Sequence, residues 1–223
     1  MNIKYNLVDK SKYSIKCPYS MTPEYITIHT TANDAPAVNE VKYMIGNTNK
    51  VSFHFAVDDI EVVQGVPLDR NTWHAGDGTN GTGNRKSISI EICYSKSGGE
   101  KFGRAYQNAI ALVVMMMKQY NIPLSNIRYH KDWSGKYCPH RLLDMGITLD
   151  KFKSEVNNAY MAESKANEKN SDYTGHWAEK AIKNIIDKKI MVGSGDGKFR
   201  PNDNLTRAEL AQTIENLLKY LGK

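Results

Sequence analysis

Two stretches of the chain alternate with period two. Over residues 24–30, Tyr25, Thr27 and His29 share one face while Ile26 and Ile28 take the other, before the polar cluster Thr30 to Asp34. Over residues 87–94, Ile88, Ile90 and Ile92 lie opposite Glu91. Such alternation predicts half-buried strands. Two further apolar runs, 51–57 and 62–68, meet through Asp58-Asp59 and read as a hairpin or meander, and 126–130 as a short strand. Helical spacing appears between the strands. Asp34 is placed to cap a helix from about Pro36 to Ile45, ended by Gly46, with Val38, Val41 and Ile45 on one stripe. Residues 103–120 repeat Ala109, Leu112, Val113, Met116 and Tyr120, with Met115-Met-Met117 as core filler. Pro139 starts a short helix through Leu143, and Thr148 caps another that reaches about Tyr160. Strands alternating with helices predict an α/β domain over 1–160.

Residues 161–172 hold no large apolar residue besides Met161 and read as a linker. Beyond it, 173–223 predicts a small all-α unit: helical spacing over 176–186, a turn-rich loop at 193–197 that includes Gly195, and a helix from Arg207 to Leu218 capped by Thr206. Some fifty residues in two helices bury little surface, so this unit is expected to lean on another copy or on the first domain.

Charge and cysteine use narrow the setting. The chain has 223 residues and a formal net charge of +6, which favours acidic partners or simply reflects a solvated basic surface. No Arg- or Lys-rich block of nucleic-acid type stands out. No apolar segment has the form of a signal peptide or a membrane span, so a protein acting outside the cell is expected to need separate release. The three cysteines resemble no disulfide framework and read as reduced thiols, with Cys17 and Cys93 as ordinary buried groups.

The densest chemistry lies in His130-Lys-Asp-Trp-Ser-Gly-Lys136-Tyr-Cys138-Pro-His140. An imidazole and a thiolate on a loop that doubles back can share one Zn²⁺, and His29 at the end of its strand is the best third ligand, leaving a fourth position open as catalytic sites do. His54 and His140 are spare candidates, and each histidine can equally be a satisfied structural group. Glu91, flanked by isoleucines, is either an edge charge or a general base. Lys136 is either a solvated lysine or the cation that stabilises an oxyanion. The loop Asp77 to Asn84, which has no apolar anchor, and Trp73-His74 before it suggest a cleft rim. A metal-free hydrolase using Cys138 as nucleophile remains open at this point.

The set Ile28-His29-Thr-Thr, Phe53-His54-Phe, Trp73-His74-Ala-Gly, Ser89-Ile-Glu91 and His130-Lys-Asp-Trp with Lys136-Tyr-Cys138-Pro closely resembles the zinc-dependent N-acetylmuramoyl-L-alanine amidases of the type-2 amidase and peptidoglycan-recognition family. The resemblance covers about residues 20–160. It implies a mixed central β-sheet flanked by helices, and zinc on His29, His130 and Cys138. It also implies cleavage of the amide between N-acetylmuramic acid and L-alanine, with Glu91 and Lys136 catalytic and Thr30, Phe53, Trp73 and His74 in contact with substrate. Phe53 stands where the phage lysozyme-amidases carry a tyrosine. The tail, from His176-Trp-Ala-Glu to Leu205-Thr-Arg207-Ala-Glu209, resembles a single S-layer homology repeat. That implies binding of an anionic secondary wall polymer through Arg207 and Trp177. Such modules usually act as three repeats, so a homo-oligomer or added free tail copies are expected, and Met161 could be an internal start for the latter. Together these traits imply an endolysin made in the cytoplasm, released through a holin-type pore and acting on Gram-positive peptidoglycan. The rival classes are a non-catalytic peptidoglycan-binding protein and an S-layer-associated structural protein.

Overall fold

A computed structural model describes residues 3–169, 171–194 and 196–223. Gly195, part of the expected tail loop, lies outside them, as does Asn170 of the expected linker. The chain divides into two compact units, Met1–Tyr160 and Met161–Lys223.

The first unit is built on six strands, β1 (Ile3–Tyr5), β2 (Tyr25–Thr30), β3 (Phe55–Val57), β4 (Val62–Gln64), β5 (Ser87–Ile92) and β6 (Ile127–Tyr129). They form one sheet in the order β1-β4-β3-β5-β2-β6. Only β3 and β4 pair antiparallel, as the expected hairpin; every other pair is parallel. The helices of this unit are α1 (Tyr13–Lys16), α2 (Ala37–Gly46), α3 (Thr82–Lys86), α4 (Gly99–Tyr120), α5 (Lys131–Ser134) and α6 (His140–Asp144), with α7 (Leu149–Lys169) beginning in it and ending in the second. The isoleucine layer predicted from alternation is the centre of the core: Ile26, Ile28, Ile88, Ile90 and Ile92 have no exposed surface. Burial of such side chains stabilises the fold by about 1.5–3 kcal/mol each. Helix α4 adds Leu112, Val113, Met116 and Met117 to this core, which confirms the methionine run as packing material.

Two local expectations change. Asp34 does not cap α2; its carboxylate accepts from the backbone and hydroxyl of Ser97, and the Ala37 N–H instead donates to Asp58 across 2.8 Å. The expected linker over 161–172 is helical as far as Lys169, because α7 continues past Tyr160. Ala162, Glu163, Lys165 and Ala166 are strong helix formers with no Gly or Pro among them, so losing the apolar stripe does not stop the helix.

In the second unit, α8 (Glu179–Asp187) and α9 (Arg207–Tyr220) follow as expected, with Thr206 and Glu209 forming a reciprocal capping box. Asp172 ties the loop before α9 by accepting from the backbone of Phe199 and Arg200. Burial is sparse: among the described residues of this unit only Ile182 and Ile190 are buried hydrophobics. Leu210, Ile214, Leu217 and Leu218 stand at least 39% exposed on α9.

Candidate metal centre and cleft

The parallel register of β2 and β5 decides the site. Ile26 pairs with Ile88 and Ile28 with Ile90, so His29 falls beside Glu91 on the face opposite the isoleucines. On the other side of β2, Ile28 pairs with Tyr129, and His130 follows at the next step, level with His29. Three strand ends thus deliver His29, Glu91 and His130 to the carboxyl edge of the parallel strands, where open α/β sheets commonly bind ligands. Helix α5 then turns the chain through Gly135, whose φ of +77° suits glycine, and the Lys131 N–H donates to the Cys138 carbonyl at 2.9 Å. That closure returns Cys138 to His29.

His29, His130 and Cys138 are all buried, and their donor atoms lie within 4.8 Å of one another. His29 Nδ1 is 3.1 Å from His130 Nδ1 and 3.6 Å from Cys138 Sγ. A tetrahedral ion at ordinary nitrogen and sulfur bond lengths spaces such donors by about 3.3 and 3.6 Å, so the set fits. Protonation supports the fit independently. The Gly83 carbonyl can only accept, so His74 Nε2, 3.0 Å away, must donate, leaving His74 Nδ1 to accept from His29 Nε2 at 2.9 Å. His130 is likewise bonded to the Ala75 backbone. Both ring Nδ1 atoms are then bare lone pairs facing each other, an arrangement that calls for a cation between them. Burial keeps these rings neutral, holding His29 and His74 well below the ordinary histidine range and His130 down to about 4.

Thr30 supports the third ligand. Its hydroxyl bonds His140 Nδ1 at 3.0 Å, and the backbones of Thr30 and His140 both hydrogen-bond the Cys138 sulfur, favouring the thiolate. Without a metal, burial pushes the Cys138 thiol up to about 12. A metal-free nucleophile needs the opposite shift, which argues against the cysteine-hydrolase reading.

The Glu91 carboxylate lies 3.9 Å from His29 Nδ1 with its side chain 19% exposed. Burial, reinforced by the charge of Glu40 and opposed by that of Lys136, pushes it up to about 8. A cleft of about 300 Å³ joins these groups, lined among others by Thr30, Glu40, Phe53, His74, Glu91 and Lys136. A second cleft, about 550 Å³, lies on the side of Lys50, Trp73 and the Gly76–Thr79 loop, and shares Val51, His74, His130 and Lys136 with the first. Lys136 is exposed, and its charge reaches His29, His130, Glu91 and Cys138.

Other expected residues fall as follows. Phe53 is buried in the wall of the first cleft, and Trp73 is anchored by its indole N–H to the Ile15 carbonyl. His54 is a core residue, fully buried between Ser89 and the Arg70 carbonyl. His74, expected to touch substrate, lines both clefts and also hydrogen-bonds His29. In the second unit, Trp177 is 92% exposed and tilts against His176, while Arg207 opens α9 in solvent. Sequence reasoning missed Glu40, half-buried in the cleft wall with Asn33 as its partner. It also missed Lys16, 1% exposed, whose ammonium holds the cleft-lining loop through Asn47, Asn49 and Val51. Neither carries a sequence motif.

Comparison with known proteins gives the same picture. The model of the N-acetylmuramoyl-L-alanine amidase family matches residues 19–141, and that of the S-layer homology domain residues 171–211. The amidase XlyB of Bacillus subtilis is 62% identical over 144 residues, which is 65% of this chain and 45% of that protein. The amidase CwlA of the same species is 47% identical over 217 residues, covering 97% of this chain and 78% of that one. The solved structure of PlyL superposes with a TM-score of 0.68 at 58% identity, over 70% of this chain and 97% of that one. On the fold, the site and these matches together, the chain belongs to the N-acetylmuramoyl-L-alanine amidase family.

Proposed function

We propose that the protein is a zinc-dependent peptidoglycan hydrolase that cuts the amide between the lactyl group of N-acetylmuramic acid and L-alanine. The observation that carries this reading is the buried His29, His130 and Cys138 set with the Glu91 carboxylate 3.9 Å from the first ligand, all within one cleft. His29, His130 and Cys138 would hold the Zn²⁺, which would supply a Lewis acid for the scissile carbonyl and acidify water. Glu91 takes the proton of the attacking water and passes it to the departing alanine nitrogen. The ammonium of Lys136, at the mouth of the cleft, stabilises the oxyanion. Phe53 offers no hydrogen bond, so proton transfer falls to Glu91.

The test is release of amino groups against reducing sugars from purified Gram-positive peptidoglycan, before and after chelation. New amino termini without reducing ends, lost with chelator and regained with Zn²⁺, is the expected result. Wall binding without release would make the chain a recognition protein instead.

His74 gives a finer check. His74→Phe removes the acceptor that fixes the His29 tautomer, and such a loss typically weakens metal binding about 10–100-fold. A competing chelator should strip the variant sooner, and excess Zn²⁺ should restore most turnover. Unchanged metal affinity would leave His74 as a packing residue.

The tail is proposed to hold an anionic secondary wall polymer, with Arg207 and Trp177 as contacts. Its exposed α9 face supports association of tails, either as a homo-oligomer or with free copies started at Met161. Sedimentation at micromolar concentration tests association, and intact mass tests the free copy. Among the described residues no helix is long and apolar enough to cross a membrane. Synthesis in the cytoplasm and release through a holin-type pore is the route proposed.

A further inference from the structure

A ladder of cations and aromatic rings leads away from the metal centre. Lys50 Nζ sits 4.4 Å above the Trp73 ring, Trp73 meets Tyr19 edge-on at 6.0 Å, and the Arg85 guanidinium stacks 4.0 Å from Tyr19. Its inner end, Lys50 and Trp73, lines the second cleft, which reaches His130 and Lys136. Its outer end, Arg85, lines a separate open groove of about 440 Å³ with Ser20, Thr22 and Asn80. The two depressions adjoin one loop: Gly78 and Thr79 line the inner one and Asn80 the outer. That loop is held firmly. Asp77 accepts from Gly83 and Asn84, and the Asn84 amide grips Gly78, His74 and Ala75.

We infer that this ladder is an extended subsite for the glycan strand of the substrate, beyond the muramic acid at the metal centre. The inference rests on the amidase reading. Aromatic rings offer apolar surface to the C–H faces of pyranose rings, while hydroxyl, amide and guanidinium groups bond sugar hydroxyls and N-acetyl oxygens. Arg85 makes no ion pair among the described residues, so its charge is not neutralised where it packs on Tyr19 and lines the groove. Charge also favours a neutral oxygen-rich chain over a polyanion. Lys86 is paired with Glu24 at 2.9 Å, which leaves a single uncompensated cation among Ser20, Thr22 and Asn80.

The experiment compares full-length wild type, Tyr19→Ala, Tyr19→Phe and Arg85→Ala on two soluble substrates. One is an uncrosslinked glycan-peptide strand of several disaccharides, the other a single N-acetylmuramoyl peptide. Tyr19→Ala and Arg85→Ala should lower kcat/KM on the strand roughly five- to tenfold through KM, with Tyr19→Phe near wild type. Rates on the single muramoyl peptide should stay within about twofold, because neither side chain reaches that unit. Equal losses on both substrates, or no loss on the strand, would overturn the subsite. Wild-type cleavage of the single muramoyl peptide reads the amidase activity on its own, so its failure is a separate result.

Discussion

Replacing Glu91 with glutamine is expected to lower kcat by about 10²–10⁴-fold while the metal stays bound, since the proposed mechanism gives Glu91 the proton transfers and the substitution leaves the three proposed ligands in place. Turnover and metal content measured on one preparation check this, and a near-normal rate would remove Glu91 from its role. The same substitution has a second consequence with the opposite sign. In the metal-free protein burial holds the Glu91 proton up to about 8, whereas the ordinary value for a glutamate is 4.5. Between those values the unfolded chain ionises and the folded chain resists, so stability falls as pH rises through the window. Below 4.5 both states are protonated and nothing is lost. Glutamine cannot ionise, so metal-free Glu91→Gln should exceed metal-free wild type above pH 8, on the order of 3 kcal/mol after allowance for the carboxylate's partial exposure. The two should converge near pH 4. Denaturant titrations at both pH values read the difference. A bound cation near the carboxylate favours the ionised form and should shrink it. Under the proposed mechanism Glu91 is thus a stability burden that a bound metal would offset, a trade common at active sites.

These residues were legible in the sequence to different degrees, for physical reasons. Alternation put His29 and Glu91 opposite their isoleucines, because side-chain direction in a strand depends on parity alone. It could not show that they stand side by side, since that needs the parallel register of β2 with β5. The His130 and Cys138 pair was readable from its short spacing and its turn residues. For His74 the cleft rim is legible but the bond to His29 is not, because its partners, His29 and the Gly83 carbonyl, come together only in the fold. Glu40 sits on α2, whose apolar stripe carries no mark of a cleft on its flank. Lys16 reads as a surface lysine, yet a cage of neutral oxygens satisfies its ammonium and lets it be buried. The helix over 161–169 was misread because a missing apolar stripe removes a reason to bury a helix, not the propensity to form one.

Serine at position 138 is expected to abolish both metal retention and catalysis. The thiolate is the anionic member of the donor set, and a hydroxyl does not ionise to replace it, so two neutral imidazoles would remain. Those imidazoles are fixed with Nδ1 atoms 3.1 Å apart, a geometry that is unfavourable unless a cation lies between them. Binding to the folded state alone stabilises it by RT ln(1 + [L]/Kd), about 4 kcal/mol at a thousandfold excess over Kd. Wild type should therefore gain several degrees in Tm when Zn²⁺ is added and lose them to a chelator, while Cys138→Ser responds to neither. Its metal-free Tm should lie near that of metal-free wild type, because serine is close in size and the Thr30 and His140 backbones can bond its oxygen. Thermal melts with zinc and with chelator, run beside Glu91→Gln, separate the roles: the glutamine variant keeps the zinc-dependent gain without turnover, and the serine variant loses both. A Cys138→Ser protein that kept the gain would move the third ligand elsewhere.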